Sequence, residues 1–249
     1  MLTNKYRYCV IGVVMCMAVG FLPFSPSAHA SSGASVDQGQ DNTFSIVGRC
    51  ARTGDFAVVV STARLGVGNR VPWAASGVGA IATQASTNTE LGREGLKLLA
   101  AGATAQEALD KVLAADAGRD TRQLSIIDAK GGMAVHTGKT TGEKSLWAGS
   151  IKGKDCVAAG NLLVSEETVQ AMVKAFEETE GFIGERVMKA LEAGQAAGGD
   201  KRGKISAAML VVRTGPHPLL DLRIDSSDDP VAELRKLYDA YMKAFKINQ

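Results

Sequence analysis

Histidine and cysteine are scarce in this chain of 249 residues, which holds three histidines (His29, His136 and His217) and four cysteines. No C-x-x-C pair occurs, so a zinc site of recognised spacing is excluded, and no metal or cofactor is expected. Cys9 and Cys16 fall in an apolar N-terminal stretch. That leaves Cys50 and Cys156 either to form one disulfide or to pack as two buried thiols. An excess of one charge is missing too. When Lys5 and Arg7 are set aside with the N-terminal stretch, the 28 basic residues fall to 26 and match the 26 acidic ones. Such a balance offers no electrostatic footprint for nucleic acid or anionic lipid. Prolines number only 6 and 45% of residues are apolar, the composition of a globular protein long enough for one large core.

Long hydrophobic runs are confined to the start. Lys5 and Arg7 precede an almost wholly apolar stretch from Cys9 to Phe24, and Ala28-His29-Ala30 has the small-x-small pattern that signal peptidase cuts. The run is shorter than the roughly 20 residues of a bilayer span and is followed by Pro23 and Pro26. Residues 1–30 therefore read as a cleaved secretory signal, without a permanent membrane anchor, and the protein is expected in the periplasm or outside the cell. Residues 31–42 are polar with no apolar period, a linker or a propeptide. Residues 43–249 are expected to form one domain.

Within that domain the periodicity predicts strands at Thr43–Cys50 and Phe56–Thr62, joined by the turn Arg52-Thr53-Gly54-Asp55, and a third at Val78–Ala85. Two helices follow, the second signalled by the capping box Thr104-x-x-Glu107. Three more strands are read at Gln123–Asp128, Met133–Thr137 and Cys156–Val164. Ser165 is expected to cap the next helix, and a further one at Ile183–Ala193 is expected to end at Gly194. Strands at Ile205–Arg213 and Leu219–Ile224 precede a last helix that Asp229 caps, with Pro230 in its first position. Helices arriving in pairs between hairpins argue for an α+β protein with two stacked, mainly antiparallel sheets covered by helices.

Several motifs look chemical and fail on spacing. Gly138-Lys139-Thr140 lacks the glycine five positions earlier, where Met133 stands, and Thr141-Gly142 reads as a turn where a phosphate loop wants a helix. Gly77-Val78-Gly79 lacks the third glycine of a dinucleotide fingerprint. His136 and His217 have no nucleophile elbow beside them and read as solvated. Thr43 remains. A threonine that is the first residue of a chain attacks carbonyls without histidine, because its own α-amino group, with a pKa of about 7.7 to 8.0, serves as base. Thr43 stands where the polar segment meets the first strand; as an internal residue it is merely a β-branched strand starter.

The stretches Asn42-Thr43-Phe44-Ser45-Ile46-Val47, Val71-Pro72-Trp73-Ala74 and Gly77 to Ala85 resemble the bacterial "domain of unknown function 1028" family. So do Gly160-Asn161-Leu162-Leu163 and the glycine-rich stretch Ala193 to Gly203. The resemblance implies an N-terminal nucleophile hydrolase fold, a four-layer αββα sandwich, with Thr43 as nucleophile. A fainter similarity to proteasome-type subunits implies that Gly160-Asn161 and the segment Asp200 to Ser206 lie near Thr43, with Asn161 as oxyanion donor and Asp200 organising the pocket. In that comparison Ser61 falls roughly where an aspartate is expected, Arg64 follows it, and no lysine occurs near Val71 to Trp73. Arg64 cannot replace lysine as a base, because guanidinium does not deprotonate in proteins. Arg64, Gln84, Asn88 and Ser206 are assigned to substrate binding. The activity implied is hydrolysis of a small-molecule amide or acylated substrate; the alternative is a ligand-binding or assembly protein on the same fold, including a homo-oligomer. Freeing Thr43 requires a cut at Asn42-Thr43.

Overall fold

The computed structural model describes residues 43–247; the expected signal and linker lie outside the described residues. Ten strands form two sheets in which every pairing is antiparallel. They are β1 (Thr43–Arg49), β2 (Phe56–Thr62), β3 (Pro72–Ala75), β4 (Gly79–Ala85), β5 (Arg122–Asp128), β6 (Met133–Thr137), β7 (Trp147–Gly153), β8 (Cys156–Leu163), β9 (Ser206–Val212) and β10 (Leu220–Ile224). The larger sheet runs β10-β9-β2-β1-β8-β7 and the smaller one β3-β4-β5-β6. Six helices accompany them: α1 (Thr89–Ala100), α2 (Ala105–Ala115), α3 (Lys139–Lys144), α4 (Glu167–Glu178), α5 (Ile183–Ala196) and α6 (Pro230–Phe245).

Strand alternation sorts the side chains into three buried cores, and three cores between layers make four layers. Phe44 and Ile46 of β1 turn outward onto α4 and α5, against Met172, Phe176 and Val187. Val47 turns the other way and meets Val58, Ala80 and Ile127 between the two sheets. Ile81 and Ile126 face outward onto Leu91, Leu109 and Val112 of α1 and α2. The result is the αββα sandwich. β1 and β2 are buried on both faces, which is why Ala57 to Val60 run together without polar alternation.

Four sequence expectations are corrected. β3 and β7 went unread because both are half-buried edge strands: β3 opens with Pro72, which an edge tolerates, and β7 carries an irregular register between Trp147 and Gly149. The stretch after Gly138 is the short helix α3, not a turn, although Lys139 sits exposed beside Glu143. Ser165 does not cap α4; its hydroxyl bonds the Glu167 carboxylate, and Glu166 occupies the cap position. Gly194 lies inside α5 instead of ending it. A Cβ there would stand 2.6 Å from Met172 Cγ and 3.3 Å from Phe44 Cδ2, so its role is close helix-on-strand packing. The capping box at Thr104 and the Asp229-Pro230 helix start are present as read. Cys50 and Cys156 are both buried free thiols, and burial pushes the Cys156 thiol up to about 12.

Candidate active site

Thr43 heads the central strand of the larger sheet, opposite Thr62 of β2 and Asn161 of β8, and is fully buried. Residues paired across antiparallel strands share a face, so Thr43, Thr62 and Asn161 all project into the space between the sheets. The Thr43 Oγ1 to Thr62 Oγ1 distance is 3.4 Å. This register corrects the expectation for Ser61. Ser61 pairs with Phe44 and faces the helices, where its hydroxyl donates to the Ser206 carbonyl. Thr62 is the side chain beside Thr43.

One strand pitch inward on the same face, Ser45 starts a buried polar chain that crosses from sheet to sheet. Its hydroxyl donates to Gln84 Oε1 at 2.8 Å, and Gln84 Nε2 donates to Gln123 Oε1 at 2.6 Å. Asn161 Nδ2 donates to the same Gln123 oxygen at 3.0 Å. Gln123 Nε2 has two hydrogens for three acceptors, the carbonyls of Gly160 (2.8 Å) and Gly149 (3.2 Å) and Thr137 Oγ1 (2.9 Å), so one hydrogen is shared. Carbonyls only accept, so they dictate which end of Gln123 faces them, and that in turn orients Gln84 and Asn161. One Nδ2 hydrogen of Asn161 is thus committed to Gln123. Buried hydrogen-bond networks of this kind rigidify their surroundings.

Two backbone outliers flank the chain: Ala85, after Gln84, has φ 70°, and Leu162, after Asn161, has φ 53°. Left-handed backbone at residues other than glycine costs about 1–3 kcal/mol each and gathers at functional sites. Leu162 is held by its N–H donating to Ser145 Oγ at 3.0 Å. Beyond Ala85, the Ser86 carbonyl accepts from Arg122, whose Nε also reaches Asp116 Oδ2 at 2.7 Å. That hydrogen bond holds the Asp116 carboxyl below its ordinary range against the opposing effect of burial.

Asp200 reaches the same end of the sandwich. Gly199, at φ 59°, turns the chain so that Asp200 forms a bridge with Leu163. The Asp200 carboxylate accepts from Ala63 N at 3.2 Å, from Arg202 N at 2.9 Å and from the Arg202 guanidinium at 3.0 Å. It thereby ties the segment after Thr62 to the segment after Asn161. Ser206 is buried opposite Thr62, its hydroxyl donating to the Arg64 carbonyl at 2.6 Å and accepting from Val67 N at 3.2 Å. Arg64 itself is exposed. Asn88 caps α1 through Glu90 N at 3.1 Å.

The structure therefore gathers Thr43, Asn161, Gln84, Asp200 and Ser206 at or near one end of the sheets, puts Arg64 on the loop above Ser206, and commits Asn88 to a helix start. Gln123 and Thr62 were missed by sequence reasoning. The signal for Gln123 was a polar residue beside the apolar positions Leu124, Ile126 and Ile127. Among the described residues no group of histidine, cysteine and carboxylate side chains is arranged to hold a metal.

The family model described as a family of unknown function (DUF1028) matches residues 43–234. The chain belongs to this family. The match opens on Thr43, the head of the central strand. The crystal structure of protein SPO2555 from Silicibacter pomeroyi, of the same DUF1028 family, is 33% identical over 81% of this chain and 86% of that one, with a TM-score of 0.74. Anbu (ancestral beta-subunit) from Yersinia bercovieri matches at 11% identity and a TM-score of 0.38, over 81% of this chain and 96% of that one. A search of the curated proteins finds no match.

Proposed function

We propose that this DUF1028 protein is an exported amide-bond hydrolase acting on a small acylated substrate, with Thr43 as nucleophile. The observation that carries the reading is the placement of Thr43. Its hydroxyl is buried at the head of a central strand, between Thr62 and Asn161, with backbone strain at Leu162 beside it.

The first event is release of the threonine amine. Thr43 Oγ1 attacks the Asn42 carbonyl carbon, the Asn42–Thr43 C–N bond breaks, and the nitrogen takes up the hydroxyl proton. Water then hydrolyses the resulting ester and leaves a free α-amine. In turnover that amine accepts the hydroxyl proton as Oγ1 attacks the substrate carbonyl, and it returns the proton to the departing amine. Water hydrolyses the acyl ester and restores the hydroxyl. Asn161, oriented by Gln123, donates its remaining Nδ2 hydrogen to the developing oxyanion, a contribution of about 10²- to 10³-fold in rate. Asp200 organises the loop around the nucleophile, and Gln84, Arg64 and Ser206 shape the substrate's surroundings.

Intact-mass measurement of the protein recovered from the periplasm or medium tests the reading. A chain beginning at Thr43 is expected. A chain beginning at Ser31 that hydrolyses no acylated amide makes this a ligand-binding protein on the same fold.

A further inference from the structure

Buried hydrophobic side chains are expected in any domain; where the large exposed ones sit is more informative. Of six exposed large apolar residues among those described, four are Leu65 (65% exposed), Leu146 (72%), Val164 (51%) and Ile205 (37%). All four stand at the strand ends surrounding Thr43. Leu65 follows β2, whose last residue Thr62 pairs with Thr43. Ile205 leads into β9 and its N–H donates to the Thr62 carbonyl at 2.8 Å. Val164 follows β8, its N–H bonded to the Gly199 carbonyl, and Leu146 leads into β7, where Trp147 pairs with Leu163. In sheet order two of them lie on the β2–β9 side of Thr43 and two on the β8–β7 side.

Four separate loops thus each present one apolar side chain at the end of the larger sheet where Thr43 lies. Exposed Arg64 precedes Leu65, and exposed Lys144 and Glu166 lie two residues from Leu146 and Val164, so charged side chains accompany the apolar ones, whereas the core of a subunit contact is depleted in charge. The polar segment 31–42 offers no apolar side chain to match them beyond Ala34 and Val36.

We infer that Leu65, Leu146, Val164 and Ile205 form the acyl-group rim of the site, so that the substrate is an amide with an extended apolar acyl chain. This rests on the hydrolase reading for its chemistry, but the rim binds whether or not the bond is cut. A buried methylene contributes about fourfold in affinity, and rim contacts bury only part of each.

The test is calorimetric titration of the full exported protein with N-octanoylglycine and N-acetylglycine, which share a headgroup. The longer acyl chain is expected to bind at least about tenfold more tightly. A Leu146→Ser/Val164→Ser variant should lose most of that ratio, while Phe245→Ser, an exposed apolar residue on α6, should keep it. Exposed-site serines leave the fold intact. A ratio near one, or one that the double variant leaves unchanged, overturns the rim. So does sedimentation showing a dimer that the double variant dissolves, because the rim is then a contact between copies. Chain-length-dependent binding with no hydrolysis of any amide keeps the rim and removes the hydrolase. Hydrolysis indifferent to chain length does the reverse.

Discussion

Gln123 grips the Asn161 strand twice: its Oε1 accepts from Asn161 Nδ2 at 3.0 Å, and its Nε2 donates to the carbonyl of the preceding Gly160 at 2.8 Å. One side chain of the smaller sheet therefore sets both the position and the amide orientation of a residue in the larger one. Replacing it with leucine leaves the Gln84 and Asn161 amides and two glycine carbonyls without their partner. Since an unsatisfied buried polar group costs about 1–3 kcal/mol, Gln123→Leu should lower unfolding stability by about 3 kcal/mol or more in a urea titration.

Gln123→Glu separates donor from acceptor. The carboxylate still receives the Gln84 and Asn161 amides, but its second oxygen faces the Gly149 and Gly160 carbonyls. Ionisation is penalised in the folded state, so the folded pKa lies above the unfolded value of about 4.3. The destabilisation is then largest at neutral pH and is relieved as pH falls through the raised pKa, where the protonated oxygen donates to a carbonyl. Unfolding midpoints at pH 7 and pH 4.5 should show Gln123→Glu recovering toward wild type; a loss equal at both would mean the carbonyls do not face this side chain.

The central architecture was legible because its residues obey simple periods. β2 and β6 carry the bounds that alternation gave them, and the start of α6 follows from Asp229 and Pro230. Edge strands β3 and β7 were not legible, since a half-exposed strand needs no apolar run. Thr43 could be singled out from its boundary and from family resemblance. Gln123 could not, because a glutamine at a strand head reads as surface, and only partners 37 and 38 residues away make it central. Similarly, Thr62 rather than Ser61 faces Thr43 by a one-residue difference in register, which reverses the face of every side chain.

Gly194 tests the packing that seats β1. Alanine gains about 1 kcal/mol of helix propensity over glycine. Against this, its Cβ would lie 2.6 Å from Met172 Cγ, in mid side chain where yielding is not cheap, and overpacking costs about 1–3 kcal/mol. Gly194→Ala should therefore be destabilising in wild type and near neutral or stabilising in a Met172→Ala background. Equal effects in both backgrounds would mean that the contact does not govern the site.

The Asp116–Arg122 pair braces the approach to Gln123 from the side of Ser86. Arg122 holds the Asp116 carboxyl below its ordinary value, chiefly by their hydrogen bond, with burial opposing. A folded-state pKa depressed below the unfolded value of about 3.9 contributes stability above that pH and loses it as pH falls through the folded value. Asp116→Asn should cost about 1–3 kcal/mol at pH 7, with the gap to wild type narrowing below about pH 4. Unfolding curves at pH 7 and pH 3 check this, and a gap that widens in acid would contradict the pairing.

The Thr43 series decides the chemistry. Thr43→Ala removes a methyl and a hydroxyl from a fully buried position, and Thr62 loses one neighbouring oxygen. The cost should stay near about 1–2 kcal/mol and the sandwich should persist. With no hydroxyl to attack Asn42, the chain should keep residues 31–42 in intact-mass spectra and hydrolyse no amide. Thr43→Ser keeps the oxygen but loses the methyl that limits its rotamers, so it should still cut, more slowly. Thr62→Val keeps the shape of the neighbour and deletes its hydroxyl, so any slowing there reports loss of that hydroxyl, which lies 3.4 Å from Thr43 Oγ1, and not a change of volume. A Thr43→Ala protein that loses residues 31–42 and hydrolyses the same amides as wild type would rule out Thr43 in both steps, whatever the behaviour of Thr62→Val.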